Sequence, residues 1–261
     1  MKLKNLLLLS ALVCSGGHLS GALISWSSTN LFQGSTTEDF VSLNGTLAVA
    51  YNATNLNTGG VNTTVNGVNF VATETGTTLA GATGETITLN GGGNNQGAFG
   101  DGQFTSNGPI FNLLSGGSFN ISSVTLDNLE VGAVYEIQTF VHDARNSRAN
   151  AVSSYSDGVN DGPVDGLVVN LNNINTGDPF VELPGGGTGD FAIGTFTADA
   201  TTQSFAVFGD DDSSNGITFA SGNSQSAINA IQLRLVTPAP EPSSSLLLGL
   251  AGTALLLRRR K

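Results

Sequence analysis

Apolar and polar residues along the central part of the chain alternate with a period of two, and no stretch there sustains a helical period. The clearest run is Val134–His142, with Tyr135, Ile137, Thr139 and Val141 on one face and Glu136, Gln138 and His142 on the other. Such a run is a strand that turns one side to a core. Phe119–Leu126 reads the same way and is expected to be its hairpin neighbour, with Asp127–Gly132 as the turn. Phe191–Phe196 and Gln203–Phe208 make a second expected hairpin through Thr197–Ala200. Ile228–Val236 predicts a last strand with Ile231, Leu233 and Leu235 inward, and Thr46–Asn52, Val68–Ala72, Thr86–Leu89 and Leu167–Asn170 are shorter candidates. Roughly ten short strands between Gly/Asn/Asp turns predict an all-β fold, an antiparallel β-sandwich formed as one domain.

The two ends follow other patterns. Lys2 and Lys4 precede a largely apolar stretch, Leu6–Val13, and Ser20-Gly21-Ala22 offers small residues for cleavage. Residues 1–22 therefore read as a secretory signal peptide, with the domain spanning 23–237. The only cysteine, Cys14, lies in that signal. Val13 stands where a lipoprotein signal needs a small residue, so Cys14 is not expected to carry a lipid. An exported domain without cysteine has no disulfides, and its stability must come from burial or bound ions.

Residues 238–261 carry the most specific pattern in the chain. Pro238, Pro240 and Pro242 keep the segment extended, Leu246–Leu257 is apolar, and Arg258, Arg259, Arg260 and Lys261 close it. The apolar span is shorter than the roughly 20 residues of a comfortable membrane crossing. Pro240-Glu241-Pro242, a short transmembrane span and a terminal basic cluster, in that order, resemble the PEP-CTERM sorting signal of Gram-negative bacteria. The resemblance implies that an exosortase, a membrane transpeptidase, recognises and removes the tail. It further implies export across the inner membrane to a surface or matrix rich in exopolysaccharide, with membrane contact only through this segment.

Charge narrows the partners of the domain. Its basic residues are Arg145, Arg148 and Arg234, against all of the 20 acidic residues except Glu241. Such a body repels nucleic acid and anionic head groups and suits neutral, cationic or metal-bridged partners. The 35 glycines and an 11% share of charged residues fit a turn-rich extracellular β-domain, while 14 Phe, 3 Tyr and 1 Trp supply enough apolar surface to fold. Within this body, Leu129–Gln138 with Val141–Arg145, Ile193–Gln203 and Ile228–Arg234 are similar to segments of PEP-CTERM proteins whose domains resemble galactose-binding-like jelly rolls, the malectin type. That resemblance implies a jelly-roll sandwich and a capacity for carbohydrate, without assigning ligand residues.

Candidate chemistry is sparse. His142 is the only histidine outside the signal, so a Ser-His-Asp set has one possible base, and Asp143 beside it points to the opposite face. No spacing marks two of the many carboxylates as a glycosidase pair, so a hydrolase or lyase is the remote reading. Calcium is the ion to expect, if any. Asp211, Ser213 and Asn215 place oxygens at alternate positions before Gly216, and Asp157, Asp161 and Asp165 crowd a second loop. Both segments equally suit solvated turns. Trp26, Tyr51 and Tyr155 have the ring chemistry to stack sugars but are expected in the core. The sequence thus predicts a non-catalytic surface or matrix protein associated with exopolysaccharide, which a concave sheet face bearing exposed aromatics would favour. The alternative is a structural or adhesive coat protein without a defined pocket, which a flat polar face would favour.

Overall fold

The computed structural model describes residues 22–27, 30–31, 38–54, 60–96, 108–141, 152–158, 167–170, 190–210, 220–221 and 226–238. Its strands are β1 (Ser25–Trp26), β2 (Asn30–Leu31), β3 (Thr46–Ala53), β4 (Thr63–Val65), β5 (Val68–Thr73), β6 (Thr78–Ala80), β7 (Thr86–Gln96), β8 (Gly116–Asp127), β9 (Val134–Val141), β10 (Val152–Tyr155), β11 (Leu167–Asn170), β12 (Asp190–Thr197), β13 (Thr202–Asp210), β14 (Ala220–Ser221), β15 (Ala227–Ile228) and β16 (Ala230–Thr237). Among the described residues there is one short helix, α1 (Pro109–Leu114), which begins with proline at its first turn, where a missing N–H costs nothing.

The strands form two sheets. The first runs β1-β12-β9-β16-β3-β5-β4 with β2 also on β12, and the second runs β11-β10-β13-β8-β7-β6 with β14 on β13 and β15 on β8. Alternation places the main core between them. Tyr51, Tyr135, Ile137, Val141, Ile231 and Leu233 of the first sheet meet Ile87, Leu89, Val124, Leu126, Phe205 and Val207 of the second. The all-β sandwich expected from the sequence is therefore the observed architecture. It is not wholly antiparallel, because β3 and β5 pair in parallel, Tyr51 opposite Val71. Between them the chain returns through β4 and the Asn66-Gly67 turn, whose φ angles of 48° and 74° are those of a two-residue hairpin.

Both expected hairpins are corrected. β8 pairs with β7, β13 and β15 in the second sheet, whereas β9 pairs with β12 and β16 in the first. β12 and β13 are likewise separated, on β9 and β8 respectively. The links 127–133 and 198–201 are arches from one sheet to the other. They lie side by side, with Leu129 N–H donating to Thr201 O at 2.9 Å, Gly132 N–H to Ala198 O at 2.7 Å and Ala198 N–H to Ala133 O at 2.9 Å. Leu129, Ala133 and Ala198 are buried there, plugging the end of the core. An apolar plug is what an arch needs and what a solvent-exposed hairpin turn lacks.

A second apolar cluster lies on the other side of the first sheet. Phe140, Phe191, Ala50 and Ala230 point away from the main core and pack with Val65, Val68 and Phe70 of the β4–β5 hairpin, Leu113 and Leu114 of α1, and Val41. Phe140 sits edge-on to Phe70 and Phe40, with centroids 5.7 and 6.0 Å away. The fully buried Asn229 joins the layers. Its Nδ2 donates to Leu114 O at 2.9 Å and Gly116 O at 2.7 Å, where the chain passes from β15 in one sheet to β16 in the other.

Candidate functional site

Of the residues expected to hold calcium, Asp157 alone is described. It follows β10 and is half-buried, and its carbonyl accepts from Ile24 N–H at 2.8 Å. Asp161, Asp165, Asp211, Ser213 and Asn215 lie outside the described residues, as do His142 and the sorting residues Pro240, Glu241, Pro242, Arg258, Arg259 and Arg260. Among the described residues, no three His, Cys, Asp or Glu side chains gather where they could hold a metal ion. No described helix is long and apolar enough to cross a membrane.

The rings with sugar-stacking chemistry are packed inside. Tyr51 and Tyr155 are fully buried. Burial, with the Glu74 carboxylate adding to it, holds the Tyr51 hydroxyl well above its ordinary pKa, and that hydroxyl donates to Glu74 O at 2.6 Å. Trp26 lies 5.1 Å from Tyr155 and edge-on to Phe205, and its indole N–H donates to Ser156 O at 3.0 Å. The large exposed apolar side chains among the described residues are Leu23, Leu43, Val61 and Val131, none of them aromatic.

Among the described residues, the polar side chains able to meet a ligand lie on the outer faces of the sheets, which differ sharply. On the first sheet, Gln138 and Gln232 stand opposite each other on β9 and β16, as do Glu136 and Arg234. All four are buried beneath the segment Glu38–Gly45, which crosses them as a strap. Gln138 Oε1 accepts from Ser42 N–H at 2.9 Å and from Gln232 Nε2 at 2.7 Å, while Gln138 Nε2 donates to Phe40 O at 2.7 Å. Arg234 donates to Asn44 O at 2.9 Å and Gly45 O at 2.8 Å, and the Glu136 carboxylate accepts from the Ser42 hydroxyl and, at 2.8 Å, from Asn44 Nδ2. Burial lowers the pKa of Arg234, and Glu136 opposes that shift. These side chains could recognise a sugar, but the strap already occupies them.

The second sheet presents an open face. Ile87, Leu89, Val124, Leu126 and Phe205 point inward, so Thr86, Thr88, Asn90, Ser123, Thr125, Asp127, Thr202 and Ser204 point out. Register aligns them in rows across the strands. Thr78, Thr88, Thr125 and Ser204 form one row over β6, β7, β8 and β13, and Ala80, Thr86, Asp127 and Thr202 form the next. Asn90, Ser123 and Ala206 form a third. Thr78, Thr202 and Ser204 are exposed, Thr88, Asn90, Ser123, Thr125 and Asp127 are half-buried, and Thr86 is buried. Neighbours bond across the rows. The Thr78 and Thr88 hydroxyls are 2.8 Å apart, Asn90 Nδ2 donates to Thr125 Oγ1 at 2.8 Å, and Thr202 Oγ1 donates to Asp127 Oδ1 at 2.7 Å. Phe208, next on that side of β13, is buried and ends the open area.

Sequence reasoning did not single out these hydroxyls. The signal was present in Thr86-Ile87-Thr88-Leu89-Asn90 and Ser123-Val124-Thr125-Leu126-Asp127, but only the register of pairing turns separate polar positions into rows.

No family model and no curated protein matches the chain. Among solved structures it aligns with Bacteroides uniformis β-glucuronidase 2 covalently bound to cyclophellitol-6-carboxylate aziridine, at 14% identity and a TM-score of 0.43, over 72% of this chain and 18% of that one. A crystal structure of Bacteroides uniformis β-glucuronidase aligns at 15% identity and a TM-score of 0.42, over the same shares. The chain thus spans less than a fifth of those enzymes, and a likeness this loose carries no argument about activity.

Proposed function

We propose that the chain is an exported, non-catalytic protein of the cell surface or extracellular matrix, sorted by an exosortase and associated with exopolysaccharide. In this reading residues 1–22 are the signal peptide, residues 23–237 are a sandwich of the galactose-binding-like jelly-roll type, and residues 238–261 are the sorting tail. Pro240-Glu241-Pro242, Leu246–Leu257 and Arg258–Lys261 support the sorting step by their order. The observation that bears on the domain's role is the hydroxyl-lined outer face of the second sheet, which suits hydrated, uncharged matter. Being polar and without an exposed aromatic ring among the described residues, it equally suits the structural coat protein. The non-catalytic part rests on the single histidine of the body and the absence of any spaced carboxylate pair in the sequence. Calcium at Asp211, Ser213 and Asn215, or at Asp157, Asp161 and Asp165, belongs to the same proposal as a stabiliser.

Fractionation of a producing culture tests this. The protein is expected in the polysaccharide fraction and should resist mild washing. Release under such washing would favour the coat-protein alternative. Turnover of a polysaccharide by the purified protein, abolished by changing one carboxylate, would overturn the non-enzyme reading.

A further inference from the structure

We propose that the outer face of the second sheet, centred on the Thr78–Thr88–Thr125–Ser204 row, binds an extended, uncharged polysaccharide laid across the strands. The inference rests on the matrix reading above and adds the place and the class of partner.

The chemistry of the face selects that partner. Hydroxyls both donate and accept, as the hydroxyls of a sugar do. The bonds within the face leave a mixed set turned outward. Thr125 and Ser123 accept from the Asn90 amide, at 2.8 and 3.2 Å, so their own protons are free to donate outward. Thr202 gives its proton to Asp127, so its lone pairs face out as acceptors. Threonine is stiff at χ1, and a side chain already held by a neighbour loses little freedom on binding.

The other partner classes fit poorly. The three rows carry no cation, and Asp127 is their one charged group, so nothing on them pairs with phosphate, sulfate or a uronate. The acidic body around them repels polyanions. They hold no aromatic or large aliphatic side chain, which a protein interface or a lipid would need at its centre.

The dimensions suit an extended chain. Neighbouring strands stand about 4.8 Å apart and rows two residues apart are separated by about 6.8 Å, so four strands span about 14 Å. That is room for several sugar rings in line, with hydroxyls above and below the line in the adjoining rows. With no aromatic platform each contact is weak, and retention comes from many domains on one polymer.

Retention of the full chain on microcrystalline cellulose and insoluble mannan, with polygalacturonate as the anionic comparison, tests the proposal. Wild type should be retained on at least one neutral polymer and less on polygalacturonate. Ser204→Arg, which places bulk and charge on the row, should lower retention at least tenfold. Thr125→Val, which keeps the shape and removes the hydroxyl together with its bond from Asn90, should lower it several-fold in a protein that still unfolds cooperatively within a few degrees of wild type. Thr64→Arg, exposed on β4 of the other sheet, should bind as wild type. Undiminished binding by folded Ser204→Arg and Thr125→Val would overturn the proposal. So would preference for polygalacturonate, no retention on either neutral polymer, or dimerisation through this face. A protein found in the matrix whose face variants bind normally would refute this inference alone. A protein absent from the matrix that still binds neutral polymer through this face would refute the matrix reading alone.

Discussion

Gln138→Leu is the sharpest perturbation of the strap over the first sheet. The side chain is fully buried and makes three bonds, accepting from Ser42 N–H and Gln232 Nε2 and donating to Phe40 O. Leucine fills nearly the same volume and makes none. Gln232 keeps its bond to Ser42 O at 3.1 Å but loses its other acceptor in a site closed to water. Phe40 and Ser42 are half-buried, so water can replace part of what they lose. A stranded buried group costs about 1–3 kcal/mol, and the partly rescued pair adds less, so the total should be about 2–4 kcal/mol. Urea unfolding reads that loss, and hydrogen exchange should show residues 38–45 opening while β8 stays protected. The double variant Gln138→Leu/Gln232→Leu should cost less than the sum of the singles, because the two amides share a bond. A loss below about 0.5 kcal/mol, the level of an ordinary surface change, with unaltered exchange in the strap, would refute the reasoning.

Other consequences are as direct. Gly92 has φ +73°, and a Cβ there would stand 1.7 Å from Phe119 O, so Gly92→Ala should destabilise by about 2 kcal/mol or more, read by thermal melting. Burial raises the pKa of the Tyr51 and Tyr135 hydroxyls, helped at Tyr51 by Glu74 and at Tyr135 by Glu85. A pKa raised in the native state leaves stability intact below the unfolded tyrosine value of about 10 and removes it as the pH climbs past that. Tyrosinate absorbance from these two should therefore appear together with unfolding; ionisation near pH 10 in a folded chain would contradict the burial argument. Mass spectrometry of the surface fraction should find mature protein without peptides from 246–257, and abundant such peptides would refute tail removal. Calcium at 100 times its dissociation constant would add about 2.7 kcal/mol, so a melting temperature that does not rise at millimolar calcium would retire both loops as sites.

The strands were legible because each is written in a short window. Val134–Val141 and Ala230–Thr237 alternate plainly, and Ile231 and Leu233 enter the main core as the pattern requires. Only the first four residues of Thr86–Gln96 are legible as a strand, because Gly91, Gly92 and Gly93 carry no pattern, although the missing side chains of Gly91 and Gly92 let β8 approach. Which strands pair was not legible. Alternation says which side faces in, and an arch and a hairpin satisfy it equally, so Leu129 became a buried plug where a turn was expected. Nor did the sequence reveal that Glu136 and Gln138 would be buried. Their cover is Glu38–Gly45, about a hundred residues away in sequence and without a periodic pattern of its own. The open face was visible as polar positions strand by strand, and invisible as rows.

Footprinting of the protein bound to the producing organism's own exopolysaccharide tests the account most directly. Side-chain labelling and hydrogen exchange, with and without the polymer, would map the contact. The account predicts protection concentrated on β6, β7, β8 and β13 around Thr78, Thr88, Thr125 and Ser204, with the strap at 38–45 unchanged. Protection centred on the strap or the first sheet, or none anywhere on a protein that stays with the polymer, would contradict it.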